Sequence, residues 1–446
     1  MARIPVAWDP RPDQLHIVLP TFAADYSGVC SVLYELGGLA AVYDPGSCTS
    51  NFISYDEPRA CEGYHARTFT SGLDDMQALM GDDKTYVDAV CQAYEAVGGS
   101  FVAVIGTPNT MILGTDYAAI ARELGRRLGV PALSFATTGT AFYDVGASQA
   151  LLAVGRQLVA PQTADGTAPA RPAPQPRTVN LLGATPLDLL SQRTIDEARR
   201  LLEEGGWHVL SCWAMGSTLD DMRAGLAAQV NVVLTTSGLA VARWMRDTFG
   251  IPYVWAALSG ERAVEEFLRH LDDVASGRAD GGDPLPHGTG TAGATPTRGG
   301  ALVIADRVMA EGMRRALELD EGYDEVDVAT FFSCEPATLR ASDTGGLDEA
   351  RATQLIRDAG YGLVVGDALL AGFAAPDGTT KLAALPHEAI SSRLSWADTT
   401  CPYGRGFLDA IAEARVPDAS APWVDPRALE DRGAGLGGEK GDHHAR

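Results

Sequence analysis

Residues Thr178–Cys212 read TVNLLGATPLDLLSQRTIDEARRLLEEGGWHVLSC. TVNLLG is an apolar run of strand length. Thr194, with Glu197 three residues on, has the form of a capping box. Ile195, Ala198, Leu201 and Leu202 then fall on one helical face, and Gly205 is placed to end the helix. WHVLSC follows as a second strand. The pattern continues with a helix near Thr218–Ala227, the strand VNVVLTT, a helix over Leu239–Phe249 and the strand PYVWA. Strands alternating with amphipathic segments predict a doubly wound parallel sheet.

The same alternation recurs on both sides. Upstream, LHIVLP, VCSVLYELGG, LAAVYD, FVAVIG and VPALSF alternate strand-like and helix-like character; downstream come ALVIA, a helix near Arg307–Leu319, VDVATFF, a helix near Asp348–Ala359 and YGLVVGD. Between them, QTADGTAPARPAPQPR and the Gly/Thr/Pro-rich run after Asp272 have compositions that read as linkers. The predicted fold is α/β, with three Rossmann-like, doubly wound parallel-sheet units. The first unit covers 1–165 and carries the Cys48 loop; a linker follows over 166–177. The second covers 178–272, a linker 273–299, and the third 300–430. The tail 431–446 is expected to be disordered.

Composition narrows the function. With 446 residues of which 46% are apolar, the chain can bury several cores. A net charge of −23 argues against nucleic acid and anionic membrane surfaces, which require a basic stripe. No run reaches the roughly 18–20 apolar residues of a spanning helix, and MARIPVAWDPRPDQ lacks a signal-peptide core, so a cytoplasmic protein is expected. Seven scattered cysteines, at 30, 48, 61, 91, 212, 334 and 401, are not a disulfide framework.

GTGTAG at 288–293 matches the dinucleotide fingerprint in letters. It sits between Pro-rich segments, however, with no strand before it and no helix after it. No phosphate-binding G-x-x-x-x-G-K-[ST] is present, nor H-E-x-x-H or G-x-S-x-G. Cys48, in DPGSCTSNF (44–52), leaves the C-terminal end of a predicted strand behind a Pro-Gly turn. That is where open α/β sheets bind ligands, although a buried thiol has the same appearance. Cys30 reads as helix core, and Cys91 and Cys212 as packing. Cys61, in the polar run RACEGYHAR beside His65, is the best second ligand by exposure. His387 and Arg393, in LPHEAISSRL, fall at a strand end where they could contact an anion or cofactor or simply face solvent.

From about Leu15 to Ile411 these segments together resemble the nitrogenase component 1 family. DYSGVCSVLYELGG before DPGSC is similar to the family's first helix before its cysteine loop. GLDDMQALMGDD and VIGTPNTMILGTDYAAIARELGRRLGVPAL resemble the segments that follow. The run from Met215 to Ala256, including FGIPY, resembles the second domain, and the run from Val364 to Leu394 resembles the closing strand and its cofactor-side loop. The resemblance implies an oxidoreductase subunit with an iron–sulfur cluster shared with a partner chain. That partner would be a homologous or identical component 1 subunit, and electrons would come from a separate P-loop, ATP-dependent iron–sulfur reductase. Of the family's three cluster cysteines only Cys48 carries over. The first position falls near Asp25, a conceivable oxygen ligand, and the third falls on Pro108 and Asn109; Cys61 is a possible substitute. The family's cofactor-holding cysteine corresponds to Thr235, so an iron–molybdenum type cofactor is not expected on this chain. The alternatives on the same residues are a non-redox scaffold or carrier of a metallocofactor and, from another class, a glycosyltransferase-type enzyme.

Overall fold

A computed structural model describes residues 18–60, 67–160, 171–283, 300–375, 378–394, 396 and 399–417. GTGTAG, Cys61 and the segment after 417 lie outside these described residues. The described residues form twelve strands in three sheets. β1 (Leu39–Val42), β2 (Thr68–Thr70), β3 (Val102–Ile105) and β4 (Ala132–Phe135) form the first. β5 (Thr178–Leu182), β6 (His208–Cys212), β7 (Val230–Val233) and β8 (Tyr253–Trp255) form the second. β9 (Ala301–Ile304), β10 (Val326–Ala329), β11 (Leu363–Gly366) and β12 (Lys381–Ala384) form the third. All pairings within them are parallel, and each sheet has the order second, first, third, fourth.

That order explains why the sequence alternates as it does. A parallel strand covered by helices on both faces is apolar along its whole length, and β1, β3, β7, β9 and β11 are buried at every residue. The polar exceptions are satisfied: Asn180 on β5 donates to Asn231 Oδ1 (2.7 Å) and to the Gly225 carbonyl (2.9 Å), and accepts from Ser211 Oγ (2.7 Å). The strand order reverses between the first and third strands of each sheet, which opens a crevice at their C-terminal ends.

The helices at Leu239–Phe249 and Arg307–Leu319 have the bounds read from the sequence. The capping box at Thr194 and Glu197 does not form. The helix begins earlier, at Gln192, with Ser191 as its cap, because Leu190 takes a left-handed conformation (φ 62°) and reverses the chain just before it. Thr194 is therefore buried within the first turn, and Glu197 pairs with Arg200 (2.7 Å). Of LHIVLP, residues 18–20 are not a strand; the Val18 and Leu19 amides donate instead to the Glu349 carboxylate (3.1 and 2.9 Å).

Two close contacts fix the packing, one within the first unit and one between the second and third. The helices Asp25–Leu33 and Tyr143–Val154 meet at Gly28 and Gly146, where an added Cβ would stand 1.9 Å from the Tyr143 carbonyl oxygen and 1.8 Å from that of Asp25. The helix Gly404–Ala412 contributes Phe407 and Ile411 to a core shared by the second and third sheets, and the Gly404 amide donates to the Leu258 carbonyl (2.7 Å).

Candidate functional site

Cys48 lies in a short helix, Ser47–Asn51, that springs from the end of β1. Gly46 makes the turn possible with φ 115°, a conformation that L side chains rarely adopt. Asp44, fully buried, holds the loop: its carboxylate accepts from the Thr49 amide (3.1 Å), Thr49 Oγ1 (3.0 Å) and Thr70 Oγ1 (2.6 Å). Cys48 is half-buried, and burial followed by the charge of Asp44 pushes its thiol pKa up. Tyr26, on the helix from Asp25, faces the same thiol and is itself raised by burial and by Cys48.

Asp25 is adjacent. Its carboxylate accepts from the Tyr26 and Gly139 amides (2.9 and 2.8 Å) on one oxygen and from the Thr138 amide and hydroxyl (2.8 and 3.3 Å) on the other. Four donors occupy the four lone-pair directions of the carboxylate. Burial raises its pKa, and the amide bonds of Thr138 and Gly139 oppose that. Gly139 in turn abuts the Pro108 ring, 2.4 Å from where its Cβ would stand. Positions 25, 48 and 108, distant in sequence, therefore converge on one edge of the first unit. They present one thiol, one fully bonded carboxylate and one proline ring.

The donor set does not by itself fit a cluster of the usual four-thiolate kind. Among the described residues no group of three His, Cys, Asp or Glu side chains could hold a metal ion.

The residues read as cofactor contacts separate. Thr235 is buried at the end of β7, and its Oγ1 donates to the Gly183 carbonyl (2.7 Å), tying β7 to β5. His387 is buried just beyond β12, stacked on Phe332 (4.8 Å, 27°) with Tyr143 edge-on at 6.0 Å. Arg393 is exposed, over the rings of Tyr55 and Trp396 (5.9 and 5.3 Å) on the seam between the first and third units.

Around His387 lies a cluster that the sequence reading missed. Tyr143 from the first unit donates a short hydrogen bond to Asp188 from the second, and Thr185 Oγ1 donates to the other Asp188 oxygen at 2.7 Å. His387 Nε2, from the third, lies 3.9 Å from Asp188 Oδ1. Asp306 accepts from the Thr236 and Val308 amides (3.1 and 3.0 Å), and Asp144 from the Ser333 amide (2.9 Å). Burial, with the field of Asp306 second, drives Asp188 well above the carboxylate range, and burial pulls His387 down to about 3, so its imidazole is neutral. The available signal was an aspartate inside the apolar run TPLDLL directly after a strand.

Comparison with known proteins agrees with this fold. The sequence model of the nitrogenase component 1 type oxidoreductases matches residues 44–283, more than half of the chain. The chain belongs to the nitrogenase component 1 type oxidoreductase family. This component 1 type chain is 30% identical over 181 residues to a light-independent protochlorophyllide reductase subunit of Heliobacterium modesticaldum, covering 39% of this chain and 32% of that protein. It is 27% identical over 250 residues to the corresponding protein of Methylobacterium sp., covering 54% and 48% respectively. It is also 22% identical over 209 residues to the nitrogenase molybdenum-iron protein alpha chain of Clostridium pasteurianum, covering 47% and 37%. The matches span about a third to a half of the length of these relatives. Among solved structures, nitrogenase Cp1 at pH 5 has the same fold, with a TM-score of 0.59 at 14% identity over 93% of this chain and 92% of that one. Among the described residues, no helix is long and apolar enough to cross a membrane.

Proposed function

We propose that this chain is one subunit of a nitrogenase-like oxidoreductase, whose iron–sulfur cluster is completed by thiolates of a homologous or identical partner subunit. The observation that carries this reading is the convergence of positions 25, 48 and 108 on one edge. Cys48 offers a thiolate and Asp25 an oxygen to a cluster that this chain cannot complete alone. Ligation by Asp25 requires Thr138 Oγ1 to turn away, which its 2.7 Å contact with Thr140 Oγ1 accommodates. When bound, such a cluster would supply single electrons, received from a separate ATP-dependent iron–sulfur reductase.

The surface around Cys48 supports a partner. Eight of the eleven large apolar side chains exposed among the described residues follow the C-terminal ends of the first sheet's strands: Tyr55, Met76, Leu79, Met80, Met111, Ile112, Leu113 and Phe142. An apolar rim about a cluster edge marks an interaction surface. The substrate would then lie where the three units meet, with Thr235 and His387 on its walls and Arg393 outside it.

Iron and acid-labile sulfide, with an EPR spectrum after dithionite reduction, test the proposal on anaerobically purified protein with its co-purifying partner. A cluster present in the wild type and lost in Cys48→Ala is the expected result. Iron absent from both would transfer the assignment to a non-redox scaffold or metallocofactor carrier, a reading favoured by the fully bonded Asp25 and by proline at 108.

A further inference from the structure

The edge that carries Cys48 has one sign of charge. In the loops after the first sheet's strands, 43–60, 71–83, 106–117 and 136–143, the exposed or half-buried charged residues are Asp74, Asp75, Asp82, Asp83 and Asp116. The other charged side chains of these loops, Asp44, Asp56, Glu57 and Arg59, are buried. The groups that bond the exposed aspartates are neutral and leave their charge uncancelled. Asp74, Asp82 and Asp116 accept from the Gln77, Thr85 and Ala119 amides (2.7, 3.1 and 2.9 Å), and Asp83 from the Tyr43 hydroxyl (3.2 Å). Lys84, next in the chain, is paired with Asp88 (2.7 Å).

The same loops carry the apolar rim. The helix Asp75–Met80 exposes Met76, Leu79 and Met80 between Asp74 and Asp82. It is tied to the Cys48 loop, because the Leu73 amide donates to the Asp44 carbonyl (2.9 Å) and Thr70 Oγ1 to the Asp44 carboxylate (2.6 Å). Apolar side chains flanked by uncancelled carboxylates bury well only against a face that supplies both hydrocarbon and cations. A second copy in a two-fold interface would bring this patch against itself, with the same aspartates opposed, on chains that each carry a net charge of −23. Arg393, from the third unit, borders the rim over Tyr55 (5.9 Å) and leaves the excess negative.

We propose that this edge docks a non-identical partner subunit whose matching face is apolar with a lysine- and arginine-rich rim. The proposal rests on the reading that a partner chain completes the site, and it narrows that partner to one that differs from this chain in surface charge.

Two measurements on the full chain test it. In sedimentation velocity at low ionic strength the wild type alone is expected to run as a monomer; a dimer formed there overturns the proposal and makes the partner a second copy. Fluorescence anisotropy then compares two short labelled amphipathic helices with the same leucine face, one rimmed with lysine and the other with glutamate. The lysine peptide is expected to bind and the glutamate peptide not to bind. Asp74→Asn with Asp75→Asn and Asp116→Asn should weaken the lysine peptide about tenfold, and asparagine keeps the helix caps at 74 and 116. Glu203→Gln with Asp280→Asn and Asp324→Asn make the same change of charge at exposed positions outside the first unit, and should leave binding within about twofold. Equal binding of the two peptides, equal loss in the two triple variants, or no binding of the lysine peptide overturns the proposal. Neither measurement involves iron, so the cluster reading and this one fail separately.

Discussion

Asp56 follows the Cys48 helix and is 4% exposed; its Oδ2 accepts from Ser27 Oγ at 2.6 Å and Asn51 Nδ2 at 3.2 Å. Burial outweighs the Ser27 bond and lifts its carboxyl to about 6. The unfolded value is about 3.9, so the neutral form is the one the fold favours. The stability contributed by this group is complete below about pH 4 and is lost as pH rises through its folded value of about 6. Asp56→Asn fixes the neutral form. It should gain on the wild type by up to about 3 kcal/mol between about pH 4 and pH 7. Urea midpoints at the two ends of that range measure this, and a pH-independent difference would contradict it. Asp188, driven in the same direction by burial and by Asp306, predicts the same sign for Asp188→Asn, with Thr185 and Tyr143 still in place to bond the amide. Cys30, Cys91 and Cys212 behave as their sequence positions suggest, as buried thiols in helices and at a strand end. Cys48 differs because its loop leaves it half-buried at a sheet edge.

The helix pair Asp25–Leu33 and Tyr143–Val154 carries both candidate regions, Asp25 at the start of one and Tyr143 at the start of the other. Its separation is set by glycine. Gly146→Ala would drive a methyl into the Asp25 carbonyl at 1.8 Å, backbone against backbone with no side chain free to yield. A cost of about 3 kcal/mol or more is expected, measurable by chemical denaturation. The displacement would also pull Asp25 from the Thr138 and Gly139 amides, so the variant should load less iron than the wild type if Asp25 borders the cluster. Helical periodicity located the core-facing sides of these elements, but spacing along one helix carries no information about the distance to a helix more than a hundred residues away. The misread cap at Thr194 has a different origin. The letters of a capping box also occur one turn inside a helix, and the left-handed Leu190 decided which residue came first.

At the scale of the whole molecule, three sheets of one topology share cores and meet at their C-terminal edges. The apolar rim around Cys48 predicts assembly. Met76→Glu with Leu79→Glu, at 66% and 81% exposure, should leave the unfolding midpoint of the isolated chain within about 0.5 kcal/mol of wild type while lowering the assembled mass in sedimentation velocity. Unchanged assembly would move the partner surface elsewhere. The fold class is legible in the chain alone, because parallel strands covered on both faces must be apolar throughout, and runs such as LAAV, VAVI and VNVV leave no solvent face. Cys48 is legible in the same way, since a thiol behind a Pro-Gly turn at a strand end is a local feature. Folding in three dimensions was needed to join Asp25, Cys48 and Pro108, and to bring Tyr143, Asp188 and His387 from three units to one buried junction. Burial and the fields of distant carboxylates are properties of that assembly, and a residue's own neighbours in the chain do not encode them.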